Sequence, residues 1–206
     1  MPARARRARS HATDRLPSTV FSLYGRGVVT AFAGQAGWRM GAIEDRLAAN
    51  AAYADTFADR DAPKVPRHAL AVLTCMDARL DVPALLGLRP GDAHHLANAG
   101  AVATDDVIRS LVISHHELGM AEVMVIGHTD CGMAGLDGAA LRASLETETG
   151  AVPVTPCAFH GFTDVGAHVR RQVDAIARHP WLAGRVRVAG FVHDVADGRV
   201  RPAADA

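Results

Sequence analysis

Apolar and polar positions change period several times along this chain. "AIEDRLAANAAYADTFA", residues 42–58, is rich in helix formers and repeats apolar residues at helical spacing, with Ile43, Leu47, Ala51 and Ala54 on one face. Pro63 and Pro66 end that pattern. "HALAVLTC" then runs apolar without alternation, as a strand buried on both faces does. "VPALLGL" predicts a short helix with Pro83 early in it, "RPGD" a turn, and "AHHLANAG" an extended segment. "TDDVIRSLVISHHELG" carries a full set of helix signals. Thr104 can cap, Asp105 and Asp106 lie in the electropositive first turn, Val107, Ile108, Leu111 and Val112 form an apolar face, and Gly119 stops it. "AEVMVIGH" is a second buried strand. "DVGAHVRRQVDAIARHP" predicts another helix, with Val165, Val169, Val173 and Ile176 on one stripe and Pro180 beyond its end. "VRVAGFVHDVADGRV" predicts a strand followed by a turn at Asp197-Gly198.

Apolar strands separated by amphipathic helices predict an α/β fold with a mainly parallel central sheet flanked by helices. Such sheets form their sites beyond the carboxyl ends of the strands. Cys75 ends the first buried strand, and His128 and Cys131 follow the second. These three residues are therefore expected to meet.

Composition narrows the function classes. Of 206 residues, 49% are hydrophobic and 21% charged, which suits a soluble protein with a core. The 22 basic and 22 acidic residues cancel, so no general electrostatic drive toward nucleic acid or an anionic membrane is expected. No apolar run approaches the ~20 residues needed to cross a bilayer. Three cysteines are odd in number and too few for a disulfide framework, which favours a reducing cytoplasm and cysteines that bind metal or do chemistry. Residues 1–39 open with the basic "MPARARRARSHATDR" and lack the unbroken apolar core of a signal peptide. They are expected to be a disordered extension or the product of a start assigned too early, leaving 40–206 as a single domain.

Two thiolates and an imidazole suit zinc. With Cys157 in the Pro-flanked segment "VPVTPCAF" taken as a passenger, three protein ligands and one open position describe a catalytic rather than a structural ion. Asp77 and Arg79 are two apart in "TCMDARLD". If that segment is extended, both point to the side of Cys75 and can pair with each other.

"CMDARLD" followed by "HTDCGM" resembles the β-class carbonic anhydrases, with their C-x-D-x-R and H-x-x-C motifs. The likeness covers roughly Met40 to Val200, takes in "GDAH", "NAGAVATDDVIRSL" and "GFVHDVADG", and points to a short bacterial branch. It implies one Zn²⁺ per chain held by Cys75, His128 and Cys131, with Asp77 and Arg79 as the catalytic pair. Asp77 is also a candidate metal ligand, since the family shows both a carboxylate paired with arginine and one turned onto the metal. The implied activity is reversible hydration of carbon dioxide to bicarbonate and a proton. Hydrolysis of carbonyl sulfide or carbon disulfide on the same scaffold is the alternative, and a non-catalytic zinc-binding protein the third reading. A homodimer or homotetramer is implied, with the 42–58 helix as an N-terminal helical arm. His94, His95, His115 and His116 are candidate proton carriers or ordinary surface and strand-edge histidines. Ala97 stands where the family often has arginine, a departure that touches electrostatics near the site and not the ligands.

Overall fold

The computed structural model describes residues 41–152, 154–156 and 158–204. The expectations for residues 1–39 and for Cys157 therefore lie outside the described residues.

The chain divides into two units, one ending at Thr56 and the other running from Phe57. In the first, the described structure is helix α1 (Ala42–Asp55). Glu44 and Asp45 occupy its first turn, where the helix dipole favours acids. The helix predicted over 42–58 stops at Asp55, with Thr56 as its cap and the Thr56 hydroxyl donating to the Tyr53 carbonyl at 3.2 Å. No residue of α1 is buried, and Ile43 and Leu47 of the expected apolar face are exposed.

The second unit is built on a five-stranded sheet. Strands β1 (Leu70–Cys75), β2 (Ala93–Asn98), β3 (Glu122–His128), β4 (Arg187–His193) and β5 (Val200–Pro202) lie in the order β2-β1-β3-β4-β5. The first four are mutually parallel and β5 closes one edge antiparallel to β4. The mainly parallel sheet expected from the unalternating runs is present, and β1 and β3, which read as buried on both faces, are adjacent interior strands.

The connecting helices are α2 (Val82–Leu86), α3 (Asp105–His116), α4 (Gly138–Thr149) and α5 (Val165–Ala177). Asp81, Thr104, Asp137 and Asp164 each cap one of them by accepting a first-turn amide. One sheet face presents Ala71, Leu73, Val123, Val125 and Val192 to Val107 and Leu111 of α3 and Val169 and Ile176 of α5. The other packs Val72 and Ile126 against Val82 of α2, with Leu86, Leu88 and Phe191 around them.

Helix α5 comes down on the sheet where β3 and β4 carry glycines. A Cβ on Gly127 would lie 2.7 Å from a Val169 methyl and 2.8 Å from a Val165 methyl, and one on Gly190 would lie 2.7 Å from Val169. Only glycine permits that approach. It places α5 directly over the strand residue that precedes His128.

Candidate metal centre

Parallel pairing aligns the carboxyl ends of β1 and β3, so Cys75 and His128, each the last residue of its strand, emerge side by side. Cys131 returns to them through a tight turn. Asp130 in that turn has φ 53°, a left-handed conformation that aspartate tolerates better than most residues. The turn is tied to β4, because Thr129 N–H donates to the His193 carbonyl at 2.9 Å and the Thr129 hydroxyl accepts from Val195 N–H at 3.1 Å.

The result is a cluster of three donor atoms, from Cys75, His128 and Cys131, all within 4.8 Å of one another and all buried. The two sulfurs are 3.9 Å apart. His128 Nδ1 lies 2.9 Å from the Thr129 carbonyl, which can only accept, so Nδ1 carries the proton and Nε2 presents its lone pair. That Nε2 is buried without a hydrogen-bond partner. An orphaned imidazole lone pair facing two sulfurs is costly alone and is satisfied by a soft or borderline cation. Burial, with a smaller contribution from Cys75, pushes the Cys131 thiol up. A bound cation reverses that tendency by taking the thiolate as a ligand. The donor set therefore fits a metal ion. Phe162, Leu80, Met133 and Val165 wall the cluster with apolar surface.

Asp77 and Arg79 meet as expected, but by a different route. Residues 76–80 form a turn, closed by Leu80 N–H on the Asp77 carbonyl at 3.0 Å, and not the extended segment that the two-residue spacing suggests. The turn lets the Asp77 side chain also accept Arg79 N–H at 3.0 Å. The guanidinium grips both carboxylate oxygens, Nε to Oδ1 at 2.9 Å and Nη2 to Oδ2 at 2.8 Å. These bonds hold the Asp77 carboxyl well below the usual carboxylate range. Asp77 lies outside the three-residue cluster, with Oδ2 3.8 Å from His128 Nε2.

Two participants escape sequence reasoning. Asp130 holds the far side of Arg79, through Oδ2 to Nη1 at 2.7 Å and through its carbonyl to Nη2 at 2.9 Å. Gly100 N–H donates to the Cys75 sulfur at 3.4 Å. Both contacts join segments far apart in the chain, and no local pattern announces them. The four histidines considered as proton carriers are engaged elsewhere. His94 contacts Ser114 and the Lys64 carbonyl, His95 the Thr74 hydroxyl, His115 the Met120 carbonyl and His116 the Trp181 carbonyl.

A metal-capable Cys-His-Cys cluster beside an arginine-locked carboxylate, at the carboxyl end of a parallel sheet, defines an α/β enzyme site. Residues 70–154 match the family model described as carbonic anhydrase. β-Carbonic anhydrase 1 of Mycobacterium tuberculosis is 40% identical over 162 residues, covering 78% of this chain and 97% of that protein. The carbon disulfide hydrolase of an Acidianus strain is 32% identical over 152 residues, covering 63% of this chain and 74% of that protein. The crystal structure of a carbonic anhydrase from Streptococcus mutans superposes with a TM-score of 0.74 at 38% identity, over 81% of this chain and 99% of that one. The chain belongs to the β-carbonic anhydrases, a family of lyases.

Proposed function

We propose that this protein hydrates carbon dioxide reversibly to bicarbonate and a proton, with one zinc ion held by Cys75 Sγ, His128 Nε2 and Cys131 Sγ. The observation that carries this is the buried, partnerless His128 Nε2 facing two sulfurs, next to a carboxylate already committed to arginine. Bound zinc supplies a Lewis acid that makes water nucleophilic near neutral pH.

The chain's own residues do the rest. The Thr129 carbonyl keeps His128 in the tautomer that leaves Nε2 free to coordinate. Arg79, braced by Asp130, keeps Asp77 ionised and turned toward the guanidinium. Asp77 thus acts as a fixed acceptor that holds the proton of the attacking oxygen and aims its lone pair at the substrate carbon. Phe162, Leu80 and Met133 offer a dry wall to a linear apolar molecule.

Carbon disulfide or carbonyl sulfide hydrolysis is the second reading, favoured by the likeness to a carbon disulfide hydrolase. The greater identity and fuller coverage of the carbonic anhydrase relative support carbon dioxide. A stopped-flow assay of the zinc-loaded protein, with the sulfur compounds run in parallel, tests this. Fastest turnover is expected with carbon dioxide. Turnover of a sulfur substrate alone would replace the reading, and a fully zinc-loaded protein inactive on all three would leave a non-catalytic zinc protein.

Helix α1 supports a homo-oligomeric assembly. A 14-residue helix with nothing buried is marginal in water, and Ile43 and Leu47 stand exposed on it. A second copy covering that face gives a homodimer or homotetramer with α1 as its arm, which light scattering on the full chain measures. The catalytic domain runs from Met40, so a chain beginning there is expected to retain activity. A cytoplasmic site suits the three-cysteine composition, and among the described residues no helix is long and apolar enough to cross a membrane.

A further inference from the structure

We propose that His168 of α5 is a positioning residue for the metal centre, holding the Gly100 backbone so that its N–H points at the Cys75 sulfur. The inference rests on the reading of Cys75 as a metal ligand.

His168 is 3% exposed, and the stripe around it on α5 is made of valines and isoleucine. An apolar side chain would be cheaper to bury there. The imidazole is instead fully engaged. His168 Nε2 lies 2.8 Å from the Gly100 carbonyl, which can only accept, so Nε2 is the donor. Gln172 Nε2 lies 3.5 Å from His168 Nδ1, and Gln172 Oε1 accepts Ala103 N–H at 3.0 Å. Burial lowers the His168 pKa, so the ring works as a neutral donor.

On the other side of Gly100, its N–H reaches the Cys75 sulfur at 3.4 Å. One residue thus bonds α5 through its carbonyl and the sulfur through its amide. Phe162 stacks on the His168 ring with centroids 4.2 Å apart, and packs against both Cys75 and Cys131. Asn98 closes the same loop through two bonds to Val102, both at 2.7 Å. The loop after β2 is therefore a rigid bracket, and His168 is its anchor on the helix side.

An N–H donor draws electron density from a thiolate ligand. Losing the anchor frees the Gly100 amide and leaves the sulfur a stronger donor to the metal. The cobalt(II)-substituted protein reports this independently of turnover, because its thiolate-to-cobalt charge-transfer band moves to longer wavelength as the sulfur becomes richer in electrons.

His168→Phe keeps the stack on Phe162 and removes the donor. It is expected to shift the band to longer wavelength and, because the loop no longer fixes the position of the Cys75 sulfur, to weaken metal retention against a chelator by about 10–100-fold. His168→Gln places an amide donor within reach of the same carbonyl and is expected to restore both. If His168→Phe does not fold, His168→Met is read in its place. An unmoved band in the donor-less variant overturns the inference, and so does an equal shift in the glutamine variant, which would mark a packing effect. Cys75→Ser separates the two levels. A full wild-type band in that variant overturns the ligand assignment itself, whereas a weakened band there with an unmoved band in His168→Phe overturns only the role of His168.

Discussion

Helices α4 and α5 are 12 and 13 residues long, and each starts at an aspartate whose side chain accepts first-turn amides. Their fates differ. Helix α5 buries Gly166, His168, Val169 and Ile176, whereas α4 buries nothing. Capping decides where a helix starts, and an unbroken apolar stripe decides whether it joins the core. Only α5 has that stripe, and only α5 meets a sheet surface cleared by Gly127 and Gly190. The helix that packs is also the one that reaches the metal centre, through Val165 beside Phe162 and through His168.

Substitutions in the site and on the α5 side that supports it should affect function, and ones on α4 should not. The largest contrast is in turnover. Asp77→Asn is expected to lower carbon dioxide hydration by ~10²–10⁴-fold, while Arg142→Ala on α4 leaves it unchanged, both read by stopped flow. A comparable loss from Arg142→Ala would erase the distinction between the two sides.

Next is packing. Gly127→Ala forces a methyl into Val165 and Val169 and is expected to cost about 1–3 kcal/mol, with a loss of metal because His128 is the next residue. Gly138→Ala, whose new Cβ would meet Phe159 at 3.3 Å, should be far milder. Urea denaturation and metal analysis of the two variants measure the difference.

The caps sharpen the point, since the local chemistry is the same. Asp164→Ala is expected to lower global stability by about 1 kcal/mol. Asp137→Ala should fray α4 alone and shift the global midpoint by less than about 0.5 kcal/mol. Hydrogen exchange, which resolves the two helices, would show protection lost in α4 without loss in the sheet.

The smallest effect is on pH dependence. Burial lowers the pKa of His168. The unfolded chain takes up that proton near pH 6.5 while the folded chain resists it, so below about 6.5 the unfolded state binds more protons and stability falls as pH falls. His168→Gln is expected to flatten that part of the stability curve. Asp77 has linkage of the same sign, in a more acid window. Its lowered pKa contributes stability above the unfolded value that is lost only in acid well below it, so the Asp77–Arg79 pair stays charged wherever the enzyme is assayed.

Much of this was legible in the residue order. The unalternating runs ending at Cys75 and His128 became two adjacent interior strands, and the capped, striped segments became α3 and α5. The H-x-x-C and C-x-D-x-R spacings marked the residues of the buried Cys-His-Cys cluster and its carboxylate neighbour. Helix α4 was not legible, because its few apolar residues make no stripe. The turn at 76–80 was misjudged as extended, because a two-residue spacing places side chains together in either conformation.

Residue order alone determined the strands, the caps and the identity of the donor atoms, because each depends on neighbours within a few positions. Tertiary structure alone decided that Asp130 braces Arg79, that Gly100 donates to Cys75 and that His168 holds Gly100. Those contacts exist because parallel strands deliver distant segments to one edge of the sheet. The bonds made there depend on where backbone amides and carbonyls end up in space, a property that no single stretch of the chain carries.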